Sequence, residues 1–222
     1  MIKKIHRLWL GPAKMRDRYK EYGRRWAELN PGRTVRDWSE DDILGRTWRN
    51  QAVIEHLYER DEERRSVELY VQLADVVSYE LLWEYGGTYV NCDIEPLRPL
   101  SELEAEYGRT WVVHEDPDFV VNAAMGGVPE DPFWDAVIAF LPRRYFAEPT
   151  AEMVFTTGPR MLTEVWRSRP VPALPWQAFN STHWSTIPLG GTAAGRDIPE
   201  GAYGLHHWGH RRDQRTNRIE RA

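Results

Sequence analysis

The stretch "SVELYVQLADVVSYELLWEYGGTYVNCDIEPL", residues 66 to 97, constrains the fold more than any other part of the chain. Apolar residues recur at helical spacing from Val67 to Trp83, and Gly86 stands where a C-cap would close the helix. The chain then enters a short strand pattern, Thr88-Tyr89-Val90, and leaves it through Asn91, Cys92, Asp93 and Glu95. A helix that feeds directly into a strand is a building unit of α/β proteins.

The rest of the chain repeats the alternation. "KKIHRLWLG" reads as a first strand running into a Gly-Pro turn, and "AKMRDRYKEYGRRWAELNPG" as a helix closed by Asn30-Pro31-Gly32. "TVRDW" is a second strand, with Ser39 as the N-cap of the next segment. Residues 40 to 65 are helical in pattern and strongly charged, which predicts a solvated face or excursion. "TWVVHE" and "FVVNAAMGG" are further strands, and "DPFWDAVIAFLPRRYF" is a helix. "TTGPRMLTEVWRSR" is another, with Thr157 or Gly158 at its start. This pattern predicts a single α/β domain over 1–222 with a mostly parallel sheet flanked by helices.

Composition narrows the function classes. The chain holds 11 Trp and 10 Tyr, rings that need a core or a ligand to cover them. A net charge of −5 gives no global pull toward nucleic acid or membrane. The single cysteine, Cys92, excludes an internal disulfide framework and a cysteine-based zinc cluster. No run approaches the roughly 20 apolar residues of a membrane span, and a cytoplasmic protein is expected. No G-x-G-x-x-G follows the first strand, which disfavours a dinucleotide dehydrogenase.

The polar end of "GGTYVNCDIEPL" has two readings. If the strand stays extended, Asn91, Asp93 and Glu95 share one side, opposite Val90, Cys92 and Ile94. Three oxygen-bearing side chains at the carboxyl end of a strand suit a hard cation, Mg²⁺ or Mn²⁺. Equally, they mark a strand emerging into solvent. Asp75 poses a similar choice: it lies in an apolar helix, on a stripe with Val71, Ser78, Tyr79 and Leu82. A carboxylate there either has a partner or ligand, or lies on a solvent-facing edge.

Taken in order, "KKIHRLWLG", "WAELNPGRTVRDWSEDDI", "LADVVSYELLWEYGGTYVNCDIEPLRPL", "VNAAMGG", "TTGPRML" and "HHWGHR" resemble the family 32 glycosyltransferases, which carry a DXD-motif sugar-binding region. The same pattern is distantly similar to the glucosylating domains of large clostridial toxins. The resemblance implies a GT-A fold, a Rossmann-like α/β domain. It also implies a UDP- or GDP-sugar donor, Mn²⁺ or Mg²⁺, and transfer with retention to a glycan, protein or DNA-base hydroxyl. It assigns Trp9 to the nucleobase, Asp75 to sugar or ribose hydroxyls, and Tyr89 to the wall of the donor pocket. Asn91 and Asp93 take the DXD positions, with Asp93 the direct metal ligand. Asn122 falls near the transferred sugar. His206 and Trp208 fall in a C-terminal segment, 203–222, that closes over the pyrophosphate and can donate a metal ligand; a packed aromatic corner is the other reading of "HHW". His207, His210, Arg211 and Arg212 would add positive charge to that segment.

Two positions depart from the family pattern. Asn91 replaces the first Asp of D-x-D and brings no charge, so lower metal affinity or a contribution from Glu95 is expected. Ser78 stands where S-D-x-x-R-Y carries arginine, and it cannot make a bidentate phosphate contact. These departures leave a second function in view, a nucleotide- or glycan-binding relative without turnover. The net +3 of residues 206 to 222 (five Arg against Asp213 and Glu220) is the one hint of a DNA acceptor.

Overall fold

The computed structural model describes residues 3–61, 66–149, 151–180 and 197–208. Its main sheet is built from β1 (Lys4–Leu8), β2 (Thr34–Trp38), β3 (Gly87–Val90), β5 (Trp111–Asp116), β6 (Phe119–Gly127) and β7 (Ala173–Leu174). These six strands lie in the order β2-β1-β3-β6-β5-β7. Neighbouring strands are parallel except where β6 meets β3 and β5, so β6 alone is reversed. The carboxyl ends of β1, β3 and β5 therefore lie along one edge, with the start of β6 beside them. A separate antiparallel ribbon is made of β4 (Ile94–Pro96) and β8 (Gly204–His206).

Side-chain alternation sorts the strands into two cores. Leu8, Tyr89, Val112, Val120 and Met125 face the core built on α3 (Gln51–Arg60), α4 (Val67–Tyr85), α6 (Pro132–Ala147) and α8 (Pro159–Ser168). Ile5, Val90, Trp111, Val113, Val121 and Ala124 face the other core. That one is closed by α1 (Asp17–Leu29), α5 (Leu100–Tyr107) and a 3₁₀ turn at Trp176–Ala178. Burial of both faces is what a largely parallel sheet requires.

The two glycines after α4 make the helix-to-strand junction possible. Gly86 and Gly87 have φ of 62° and 91°, a region open to glycine at little cost. At Gly87 a Cβ would collide with the Lys4 carbonyl of β1. His6 secures the same junction. It is fully buried, its Nε2 donates to the Gly86 carbonyl at 2.9 Å, and its Nδ1 accepts from Trp38 Nε1 at 3.1 Å. Burial lowers its pKa to about 4, so the ring is neutral and structural.

The charged segment after Ser39 is not an excursion. Ser39 caps α2 (Glu40–Leu44) in a capping box with Asp42, as its sequence predicts. Ile43, Trp48, Val53, Ile54 and Leu57, however, are buried in the first core. The buried Glu80 of α4 accepts the backbone N–H groups of Arg49 and Asn50 at 2.8 and 2.6 Å, which fixes the start of α3. The charges occupy the outer face of an amphipathic pair whose inner face is core.

Candidate active site

The strand pattern through Glu95 breaks earlier than alternation predicts. β3 ends at Val90, and residues 91–94 form a turn in which the Ile94 N–H donates to the Asn91 carbonyl at 3.0 Å. Asn91, Asp93 and Glu95 consequently do not share one side. Asn91 continues the α4-facing side of Tyr89, and its Oδ1 accepts the Tyr89 hydroxyl at 2.9 Å. Asp93 turns toward β8. Glu95 faces α1, where Arg25 Nη1 donates to it at 2.5 Å and His207 Nε2 lies 3.0 Å away. With both oxygens engaged there, the expected contribution of Glu95 to a metal site is set aside. The cause is long-range: Ile94 is drawn into the second core, and β4 pairs with a strand over 100 residues later.

Asp93 and His206 come together across this ribbon. His206 Nε2 is 3.2 Å from Asp93 Oδ1, yet neither nitrogen of the His206 ring has a well-directed hydrogen-bond partner among the described residues. His206 is 1% exposed, so Nδ1 is withdrawn from water with no hydrogen-bond partner among the described residues, and Nε2 has only the poorly directed contact with Asp93. A cation beside Asp93 would take the lone pair of Nε2, leaving Nδ1 as an N–H donor, and an oxygen–imidazole pair suits Mn²⁺ and, with more waters, Mg²⁺. Among the described residues no third His, Cys, Asp or Glu completes a cage. The donor set is thus an open one that leaves positions for ligand oxygens and water. Trp208 follows with its ring 4.0 Å from that of His206 and with φ of 53°. A left-handed backbone at a bulky residue costs on the order of 1–3 kcal/mol and is met at ligand-binding sites.

Asp75 resolves in favour of a partner. Asn122 Nδ2 donates to its Oδ1 at 2.7 Å and Thr157 Oγ1 to its Oδ2 at 2.9 Å. Tyr79 braces both, accepting from Asn122 at 3.1 Å and donating to the Thr157 carbonyl at 3.0 Å. By surface area the residue as a whole is half-buried. Burial raises its pKa to about 7 against the opposing hydrogen bonds from Thr157 and Asn122. A carboxylate held on two oxygens by two donors retains lone pairs for hydroxyl groups entering from above.

The remaining expected positions lie around these two centres. Tyr89 is buried, with Asp75 and Asp93 both close enough to help raise its pKa after burial itself. Trp9 is half-buried just beyond β1, its Nε1 donating to the Ala13 carbonyl at 2.6 Å and its ring 5.7 Å from that of Tyr19. Beneath that loop the fully buried Arg7 holds Asp37 at 2.6 and 2.9 Å and the Tyr19 carbonyl at 2.7 Å. Ser78 is turned inward, its hydroxyl donating to the Asp75 carbonyl at 2.8 Å, so it offers nothing to a phosphate. His207 is committed to Glu95, whereas His210, Arg211 and Arg212 lie outside the described residues.

Two participants are not legible in the sequence. Of the two residues the sequence offers for the start of α8, Gly158 is the N-cap; Thr157 closes the short α7 (Met153–Thr156) and serves Asp75, a role with no sequence signal. Glu115, at the carboxyl end of β5, has its pKa raised to about 7, by burial and then by Asp116, with His206 and Arg160 acting in the opposite direction. It therefore lies within electrostatic reach of His206. The available signal is topological: a carboxylate ending a strand parallel to β1 and β3.

Comparison with known proteins bears on the fold and on the segment from residue 16 to residue 110. Residues 16–110 match the family described as glycosyltransferase sugar-binding region containing DXD motif. Inositol phosphoceramide mannosyltransferase 3 of Schizosaccharomyces pombe is 30% identical over 152 residues, 62% of this chain and 42% of that protein. Inositol phosphoceramide mannosyltransferase 2 of the same yeast is 34% identical over 98 residues, 43% of this chain and 28% of that protein. The chain thus spans less than half the length of these curated relatives. Among solved structures, the PaToxG glycosyltransferase superposes with a TM-score of 0.60 at 14% identity, covering 76% of this chain and 70% of that one. The catalytic domain of alpha-toxin from Clostridium novyi gives 0.52 at 10% identity, covering 75% and 72%. No helix among the described residues is long and apolar enough to cross a membrane. This chain has the GT-A fold, and its residues 16–110 are similar to the sugar-binding region of DXD-motif glycosyltransferases.

Proposed function

We propose that the chain is a cation-dependent glycosyltransferase that moves a sugar from a nucleotide sugar to a hydroxyl acceptor with retention of configuration. The observation that carries this reading is the pairing of two unlike centres on one sheet edge. One is Asp93 beside the buried His206 ring, neither nitrogen of which has a well-directed hydrogen bond among the described residues, suited to a cation and a diphosphate. The other is the Asp75 carboxylate, held by Asn122 and Thr157 and suited to sugar hydroxyls. Tyr89 is within electrostatic reach of both carboxylates.

The roles follow from what each side chain can bind. Asp93 and His206 would hold Mn²⁺ or Mg²⁺; Asn91, whose Oδ1 takes the Tyr89 hydroxyl on the α4-facing side, is not one of the ligands. Such an ion neutralises the charge that collects on the departing nucleoside diphosphate, worth several kcal/mol of transition-state stabilisation. Asp75 accepts hydrogen bonds from the donor sugar, and Asn122 and Thr157 fix its orientation. Trp9 offers an aromatic face to the base, and Trp208 covers the diphosphate side. The names of the yeast relatives favour a hexose such as mannose as the transferred group.

The reading is tested by incubating the protein with a panel of UDP- and GDP-sugars, with Mn²⁺ or with EDTA. At least one donor should release nucleoside diphosphate by slow hydrolysis in the absence of acceptor, and only with the cation. Binding of nucleotide with no release from any donor would instead identify a binding protein without turnover.

A further inference from the structure

Glu95, once removed from the metal site, is left in an arrangement of its own. On α1, Arg25 and Tyr22 lie one helical turn apart and face the β4–β8 ribbon. Arg25 Nη1 donates to Glu95 Oε1 at 2.5 Å and Nη2 to the Pro96 carbonyl at 3.3 Å. His207 Nε2 donates to the other oxygen of Glu95 at 3.0 Å, and its ring stacks on Tyr22 with centroids 5.5 Å apart and planes 14° from parallel. Backbone bonds complete the seam: His207 N–H to the Asp93 carbonyl at 3.1 Å, and His206 N–H to the Phe179 carbonyl at 2.8 Å.

Alternation turns this seam into a device. Consecutive residues of an extended segment point to opposite sides, so holding His207 against α1 directs the His206 ring away from α1 and toward Asp93. β8 is only three residues long, and its sole ladder partner among the described residues is β4. So short a ribbon has little rigidity of its own. Its side-chain anchors therefore set where His206 rests.

We propose that Arg25, Glu95, His207 and Tyr22 form a clasp that positions His206 for the cation, with Glu95 acting as a positioning residue and not as a ligand. The proposal rests on Asp93 and His206 being the cation site. Groups that orient metal-binding histidines commonly contribute 10- to 100-fold to metal affinity.

The test compares Glu95→Ala with Glu95→Gln in the full chain, reading Mn²⁺ binding from the paramagnetic resonance of the free ion. Residue-resolved amide exchange of Leu205, His206 and His207 is read in parallel without metal. Glu95→Ala should weaken Mn²⁺ binding by roughly 10-fold or more and speed exchange of these amides by a similar factor. Glu95→Gln keeps an acceptor oxygen and should stay within about threefold of wild type on both readouts. The clasp is overturned if Ala leaves both unchanged, or if Gln loses Mn²⁺ affinity as fully as Ala, which would make Glu95 a ligand through water. Arg25→Met, which keeps the aliphatic stem, replaces Glu95→Ala if that variant does not fold. A wild type that binds no Mn²⁺ sinks the cation reading, and the clasp is then decided on amide exchange alone.

Discussion

Asp93→Ala should lower nucleotide-sugar turnover by about 10³-fold while leaving the protein folded. The size of the loss follows from the role: removing one preorganised contact to developing charge typically costs 10²–10³-fold, and here the contact also anchors the cation. The fold should survive because the backbone carbonyl of Asp93, which takes the His207 N–H at 3.1 Å, is unaffected by the substitution. Steady-state rates at saturating Mn²⁺, with a melting curve alongside, separate the two effects. Turnover within a few-fold of wild type would remove Asp93 from the reaction. A large fall in melting temperature would show its role to be structural.

Asp75→Asn should do two opposite things at once, impair the enzyme and stabilise the protein. The carboxyl is pushed up from 3.8 to about 7 by burial, which outweighs the hydrogen bonds from Thr157 and Asn122. Its folded-state pKa is therefore above its unfolded one, and the folded protein holds the proton longer. Between pH 4 and 7 the native state binds more protons than the unfolded chain, so this group makes stability fall as pH rises. At pH 8 the full penalty is present, on the order of 1–3 kcal/mol once partial solvent access is allowed for. Asparagine has no charge to bury, can still accept from Asn122, and can donate its amide N–H to the Thr157 hydroxyl. The variant's melting temperature should exceed that of wild type by several degrees at pH 8 and match it near pH 4.

The cost falls on activity. Loss of the charged acceptor for sugar hydroxyls should lower kcat/KM by roughly 10²-fold. The wild-type kcat/KM should climb with pH through about 7 as Asp75 ionises, a rise that the Asp75→Asn variant cannot reproduce. A variant that is less stable than wild type at pH 8, or equally active, would show that Asp75 is an ordinary structural acid. Retention of a destabilising carboxylate is the expected signature of a functional site.

What the sequence makes legible is local, and what it hides depends on distant pairing. The helix into Gly86, the Ser39 cap and the alternation that divides Tyr89 from Val90 all follow from spacing over a few residues. Asp75 stands out for the same reason, as a charge inside an apolar stripe. The direction of Glu95 does not follow, because β4 leaves the main sheet to pair with β8 and Arg25 lies 70 residues away. Thr157 and Glu115 are hidden in the same way, since only the folded sheet brings them to Asp75 and His206. Charge density misdirects the reading of residues 40 to 65, where a few buried side chains outweigh many exposed ones.

The proposed mechanism stands or falls on Asp93 and His206 acting as a cation-dependent diphosphate site. Calorimetric titration of UDP and GDP reads that site directly, with Mn²⁺ or with EDTA, on wild type and on His206→Ala. One nucleotide should bind wild type at least about 10-fold tighter with Mn²⁺, and most of this gain should disappear in His206→Ala. Equal affinity with and without the cation, or a full Mn²⁺ effect without His206, would contradict it.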